Sequence, residues 1–384
     1  MRMVFTTWAW PTHLYALAPL AWACRAAGHD VLFASQPGLR DDILRTGLPA
    51  ATVGTDVDTV GMVREYLLPN RPRTGGRGAA HHGGRPRAVD MLLAHAQSMV
   101  DDLADLVRQW RADLVVYDPT ALAGPLAASA AGIPAVRHLY GIDLLSRASA
   151  QLTEAFAPLT DRCGGLPFDP CGAATVDPVP AGMQTIADHH RLPMCYVPFN
   201  GPAAPPVGLP PAGARPRICV SWGHTIAKVE PERFLAGRIA AAAADLDADL
   251  VLAVSSAQRA LLGPLPDSVH ILVDTPLEHA LAGCDLLIGH GGAGSILTAL
   301  RGGVPLLLVP QLPDHAGHSA AVAACGAGVV LGIDEAEPAI LQDQIARLVA
   351  DGAGERAAAR TVAAQMREQP PPASVVAELE SLPR

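Results

Sequence analysis

The chain is poor in several features that would narrow its class at once. Its seven cysteines are odd in number and include no CxxC pair. That excludes a disulfide or zinc framework and reads as reduced core thiols of a cytosolic protein. Aromatic residues make up 4% and charged residues 17% of the 384, and no apolar run approaches the ~18 residues of a membrane span. Lysine is scarce and the formal net charge is −9. Without a basic stripe, nucleic acid is excluded as a partner. The opening MRMVFTTWAW lacks the layout of a signal peptide and reads as a first strand, so a cytoplasmic location is expected.

What is present is apolar and alternating. Half of the residues are hydrophobic, which suits buried parallel sheets whose strands read as continuous apolar runs. A chain of this length holds two domains of ordinary size. In the first half, strands are expected at 3–6, 31–34, 114–117 and 135–138, with helices at 14–27, 38–46, 91–110 and 122–131. In the second, strands fall at 218–221, 250–254, 270–273, 285–288, 305–309 and 329–331. Helices are expected there at 231–244, 257–262, 296–301 and 338–350, and a last one at 373–382 follows a proline break. The fold class is therefore α/β, with parallel sheets covered by helices on both faces. Residues 70–87, NRPRTGGRGAAHHGGRPR, are too polar and glycine-rich to pack and read as a mobile surface loop. The His81–His82 pair inside it has no partners at metal-ligand spacing. Residues 201–216 are dense in proline and read as an interdomain linker.

The most informative stretch is 289–315, GHGGAGSILTALRGGVPLLLVPQLPDH. A strand runs into a glycine turn holding His290, Gly291, Gly292, Gly294 and Ser295, and a helix follows. Such a unit leaves backbone N–H groups unpaired at the positive end of a helix, a spot suited to phosphate. His290 can donate another hydrogen bond, and Ser295 can cap the helix and bond the anion. The next strand ends in Pro310–His315, carrying Asp314 at the same carboxyl edge, where ligands of parallel sheets bind.

This segment resembles the HHGGAGT and PQxxDQ signatures of the GT-B-fold glycosyltransferases of natural-product biosynthesis. The first 57 residues look similar to the branch acting on macrolides and aromatic polyketides in actinomycete antibiotic pathways. The resemblance implies two Rossmann-like domains facing across a cleft. Residues 1–200 would bind the acceptor, 217–368 the nucleotide sugar, and 369–384 would form a helix returning to the first domain. It also implies a TDP- or UDP-sugar donor, a polyketide-type aglycone as acceptor and no cofactor or metal. A P450-like auxiliary protein and a homodimer are further partners it admits; a membrane is not.

The segment WAWPTHLYAL from Trp8 resembles the GHxxPL motif of the same enzymes, whose histidine is the general base. His13 falls where the first strand's carboxyl end turns into a helix. A neutral imidazole, with an ordinary pKa of about 6.5, accepts a hydroxyl proton best when a carboxylate holds its other nitrogen. Asp118, ending the strand at 114–117, occupies the position of the family's acidic partner; it reads equally as the N-cap of the next helix. Trp8 and Trp10 form either a flat wall for a ring-bearing acceptor or a plug on the sheet, and Tyr140 joins them as an acceptor-binding candidate. His29 stands at the far end of its strand and reads as structural. The acidic run 245–249 likewise lies at the far edge and reads as a solvated turn, not a metal site.

Three departures from the family pattern concern the donor. Asp274, before Thr275, stands where a base-stacking tryptophan is usual. His315 replaces the glutamine of the DQ pair, and His318 an asparagine. The loop Ser221–Thr225, implied to touch phosphate through Gly223 and Thr225, has bulky residues where small ones are usual. The expected function is an inverting transfer of a deoxysugar to a hydroxyl, with His13 as base. A C-glycosyltransferase, a catalytically silent subunit and a sugar-nucleotide epimerase are the alternatives.

Overall fold

The structure is a computed structural model that describes residues 1–67, 86–164, 168–184, 189–202, 204, 209, 213, 215–350 and 352–383. Most of the stretch 70–87, with His81–His82, lies outside the described residues, as does most of 201–216. Arg87, at the end of the first of these, already opens the helix Arg87–Trp110. The chain divides into two compact units, each an α/β structure. One comprises Met1–Asp177, Ala187–Leu192 and Pro371–Arg384, the other Pro178–Ile186 and Pro193–Pro370.

The first unit is built on β1 (Arg2–Thr6), β2 (Asp30–Ser35), β3 (Ala50–Thr52), β4 (Leu114–Tyr117), β5 (Ala135–His138), β6 (Ala174–Asp177) and β7 (Arg191–Pro193), in the order β3-β2-β1-β4-β5-β6-β7. β1 through β6 are paired in parallel. Strand order reverses between β1 and β4, so the loops that follow these two strands diverge and leave a crevice at the carboxyl edge. The sequence Leu-Val-Val-Tyr of β4 is fully buried, as a central strand covered on both faces must be; each such side chain contributes about 1.5–3 kcal/mol. The helix Pro372–Glu380 packs on the helix Pro11–Ala26. His29 holds the two ends of the sequence to this unit, meeting the terminal amine of Met1 at 3.1 Å and Glu380 at 2.9 Å.

The second unit repeats the plan with β8 (Arg217–Ser221), β9 (Asp249–Val254), β10 (Val269–Val273), β11 (Leu286–Gly289), β12 (Leu306–Leu308) and β13 (Gly328–Val330). Their order is β10-β9-β8-β11-β12-β13, all parallel, with the reversal between β8 and β11. The glycine turn of the sequence motif thus starts at the switch point.

Several local expectations need correction. The helix expected at 231–244 is interrupted: a 3-10 turn, Pro231–Arg233, precedes Ala236–Ala243, because Phe234 and Leu235 between them turn inward and are buried. A helix Pro313–Ala324, with Pro313 at its first turn, replaces the expected loop end; proline there costs no hydrogen bond. The helices Thr59–Leu67, Ser149–Arg162 and Gly354–Glu368 were not anticipated from the pattern. Among the described residues no helix is long and apolar enough to cross a membrane.

Candidate active site

In the first unit the switch point brings together residues more than a hundred positions apart. The helix Pro11–Ala26 begins directly after β1 because Pro11 sits at its first position, where no amide hydrogen is needed. His13 is therefore held in the first turn. Its Nδ1 lies 2.7 Å from Asp118 Oδ2, and the Asp118 carboxyl is completely buried. The N-cap reading of Asp118 is overturned: Leu122 occupies the N-cap of Ala123–Ala131. Asp118 instead takes the backbone N–H of Thr120 at 2.8 Å and the Thr120 hydroxyl on its other oxygen.

The rings of Trp8 and Tyr140 border His13. Trp8 and Trp10 are 5% and 7% exposed and stack with ring centroids 5.3 Å apart. Both rings are packed into the core of the first unit. Tyr140, half-buried, has its ring 4.5 Å from that of His13. Behind Trp8 stands His95, centroids 4.5 Å apart. The sequence pattern gave no hint of His95, which lies on the buried stripe of the helix Arg87–Trp110.

In the second unit the helix after β11 runs Ala293–Arg301, and its N-cap is Gly292. Ser295 therefore sits inside the first turn and is not the cap. The first intrahelical bond near this end runs from Ile296 N to Gly292 O, at 3.1 Å. The amides of Ala293, Gly294 and Ser295 are left for an outside acceptor at the positive helix end. Two further helices begin at the same sheet edge: Thr225–Val229 after β8 and Pro313–Ala324 after β12. Thr225 and Asp314 stand in their first turns, each half-buried.

The glycines here make room for a ring as much as for a ligand. Gly223 has φ +59°, and a Cβ on it would stand 2.5 Å from His290 Cε1; a Cβ on Gly292 would stand 2.5 Å from His290 Nε2. His290 is thus flanked by two residues that must lack side chains. Gly291, at φ +91°, is pressed in the same way against Ser319 and the His315 carbonyl. His315 is 3% exposed and meets His290 edge-on, centroids 4.6 Å apart. Its ring packs directly against that of His290. The bulky Trp222 is buried and donates to Gln311 Oε1 at 3.3 Å, while Gln311 donates to the Arg233 carbonyl.

Asp274 has local partners. At φ +48° it turns its carboxylate onto the first turn of the helix Ser256–Arg259, accepting from Ser256 N at 2.9 Å and from the Ser256 hydroxyl. These bonds hold its carboxyl below the ordinary aspartate range. Thr275 closes on the Val273 carbonyl at 3.3 Å. In the same helix, Ser255 and Gln258 form a capping box, and Gln258 also donates to the Gly223 carbonyl. This ties the left-handed glycine to the next loop. Tyr196 accompanies the helix Ala293–Arg301, with its hydroxyl 3.1 Å from Thr298 Oγ1 and 3.3 Å from the Gly294 carbonyl. Tyr196→Phe is expected to cost about 1 kcal/mol, read as a lowered urea midpoint. No change would mean that the hydroxyl does not brace the turn.

Four histidines of these sites are buried and held neutral. Burial pushes His95 and His138 down to about 4 and His315 to about 3; burial and the neighbouring His315 put His290 well below the usual range. Each binds a proton more readily in the unfolded chain. Their stabilisation is therefore full above an ordinary histidine pKa of about 6.5 and is lost as pH falls toward about 4. Each unit of separation is worth about 1.4 kcal/mol. Urea unfolding is expected to show a loss of several kcal/mol, in order of magnitude, between about pH 7 and about pH 4.5. A flat profile would contradict the buried neutral rings. Among the described residues no group of three or more His, Cys, Asp or Glu is placed to hold a metal ion.

Comparison with known proteins agrees with this layout. The family model for the erythromycin biosynthesis protein CIII-like N-terminal domain matches residues 22–223, and that for the C-terminal domain residues 237–382. The 10-deoxymethynolide desosaminyltransferase of Streptomyces venezuelae is 34% identical over 100% of this chain and 97% of its own. The L-demethylnoviosyl transferase of Streptomyces niveus is 36% identical over 98% of this chain and 97% of its own. A solved structure of the spinosyn rhamnosyltransferase SpnG complexed with thymidine diphosphate superimposes with a TM-score of 0.84 at 30% identity, covering 99% of this chain and all of the other.

Proposed function

The chain belongs to the erythromycin biosynthesis protein CIII-like family of glycosyltransferases, and from that premise we propose that it is an inverting O-glycosyltransferase. In this reading it moves a deoxysugar from thymidine diphosphate to a hydroxyl of a polyketide-type aglycone. Support for the substrate class comes from the relatives' named activities and from the thymidine diphosphate bound to SpnG. The observation that carries the mechanism is the His13–Asp118 contact of 2.7 Å at the switch point of the first sheet.

With Nδ1–H given to Asp118, His13 Nε2 keeps its lone pair and takes the acceptor's hydroxyl proton. The oxygen then forms its bond to the anomeric carbon as the bond from that carbon to the diphosphate oxygen breaks. The electron pair departs with the diphosphate, and the anomeric configuration inverts. Asp118 stabilises the imidazolium that results. The growing charge on the diphosphate is met by the amides of Ala293, Gly294 and Ser295, with His290, Gly291, Gly292, Thr225 and Gly223 forming the rest of the cradle. Asp314 binds sugar hydroxyls, and Tyr140 borders the acceptor.

The test is an incubation with a panel of thymidine- and uridine-diphosphate sugars and macrolide or anthracycline aglycones. Nucleotide release should require acceptor, and proton NMR of the glycoside should show the anomeric configuration opposite to that of the donor. Retained configuration would rule out the single displacement.

A further inference from the structure

Resting on the assignment of His13 as base, we infer that Trp8 and Thr120 are positioning residues that fix the tautomer of His13 through Asp118. An indole N–H can only donate, and Trp8 Nε1 lies 2.6 Å from Thr120 Oγ1. The Thr120 oxygen is therefore an acceptor in that bond, and its own single proton is left for its other partner. That partner is Asp118 Oδ1, which also takes the Thr120 backbone N–H at 2.8 Å. Both bonds on Oδ1 are thus supplied by donors.

The remaining carboxylate oxygen, Oδ2, faces His13 Nδ1 at 2.7 Å. With Oδ1 filled by donors, Asp118 is arranged as an acceptor throughout, and Nδ1 must carry the hydrogen. The Nε2 lone pair is then the one presented to an acceptor hydroxyl. The relay runs in one direction, from the indole through the threonine to the carboxylate, and the imidazole completes it from the other side.

The relay is buried and clamped. Trp8, Thr120 and Asp118 are all buried. The Trp8 ring is fixed by Trp10 at 5.3 Å and by His95 at 4.5 Å. His95 is in turn held between Thr59 Oγ1 and Gln36 Oε1, each at 3.2 Å. The indole N–H therefore has a fixed aim, and the pair Trp8–Thr120 is built by the two loops that leave β1 and β4.

The variants that test this are Thr120→Val, which removes the relay hydrogen and keeps the shape, and Trp8→Phe, which removes the indole N–H and also leaves a smaller ring in the core, with Thr120→Ser as the conservative restoration. For each, kcat, donor KM, the thermal transition and the 15N NMR spectrum of the histidines are measured; the His13 signals are identified by their loss in His13→Gln. The expected result is a fall in kcat of about tenfold for Thr120→Val, since bonds to a charged group are among the stronger ones. A smaller fall is expected for Trp8→Phe. Donor KM should hold, Thr120→Ser should recover most of the turnover, and His13 Nδ1 should no longer be the uniformly protonated nitrogen. Unchanged kcat and an unchanged His13 tautomer in both variants would overturn the relay, as would a loss of kcat that vanishes once corrected for the unfolded fraction. His13→Gln, assayed in parallel, separates the two levels. If it is dead while the relay variants are fully active, only the relay falls; if it is fully active, the base assignment falls and the relay with it.

Discussion

Replacing His13 by alanine is expected to lower kcat by about 10²–10⁴-fold, the range that one positioned general base supplies, while the KM for the nucleotide sugar stays within a few-fold. The split follows from where the residue sits. His13 and its partner Asp118 belong to the unit built on β1–β7, whereas the helix end assigned to the diphosphate belongs to the other unit. Losing the imidazole removes an interaction made in the transition state and leaves ground-state donor binding intact. Asp118→Asn should approach the same loss by a different route. The carboxamide brings its own N–H groups against the Thr120 donors and the His13 Nδ1 hydrogen, so the imidazole is driven toward the wrong tautomer. Thermal transitions of both variants, measured beside the kinetics, separate chemistry from folding. A raised KM with unchanged kcat for His13→Ala would assign the residue to binding and remove it from proton transfer.

The second large effect is expected on donor binding. Gly223→Ala and Gly292→Ala each place a Cβ 2.5 Å from atoms of the same imidazole, a separation no real Cβ tolerates. His290 is buried, with His315 and Trp222 beside it at centroid distances of 4.6 and 6.2 Å, so displacing its ring disturbs packed neighbours. At Gly223 the left-handed φ of +59° adds a strain of about 1–2 kcal/mol for any residue with a side chain. Thymidine diphosphate affinity, measured calorimetrically, is expected to fall by tenfold or more in both variants. Gly263→Ala, where a Cβ meets nothing within 4 Å, serves as the neutral comparison. Wild-type affinity in Gly223→Ala and Gly292→Ala would show that the position of His290 does not matter to the nucleotide.

The alternation of apolar runs makes the parallel sheets legible, and the strand–glycine–helix stretch at 289–301 marks a carboxyl-edge turn, whereas its place at the switch point follows only from the strand order. His13 is singled out by its resemblance to a family motif, whereas Asp118 reads equally as an N-cap until its contact with His13 Nδ1 is seen. What the sequence could not convey is how side chains share space. The glycines look like a backbone cradle in one dimension; that Gly223 and Gly292 house the ring of His290 depends on a contact between segments nearly seventy residues apart. Nor does the sequence show that the Trp8 indole donates to Thr120, 112 positions away. Asp274 reads as a lost stacking residue, whereas its positive φ and two bonds from Ser256 make it a local brace. Pro313 reads as the end of order, yet it opens a helix, since a proline stop and a proline start share one residue type. Ser255 and Gln258 carry a local capping-box signal, but the reach of Gln258 to the Gly223 carbonyl and of Tyr196 to the Gly294 carbonyl joins segments distant in sequence.

The most direct test is a single-turnover experiment with enzyme in excess over a thymidine-diphosphate deoxysugar, quenched at intervals in the presence of an aglycone. The account predicts that glycoside and free thymidine diphosphate rise together in equal amounts with the wild-type protein, and that neither rises with His13→Ala although the donor remains bound. Glycoside forming at the wild-type rate in the variant would contradict it.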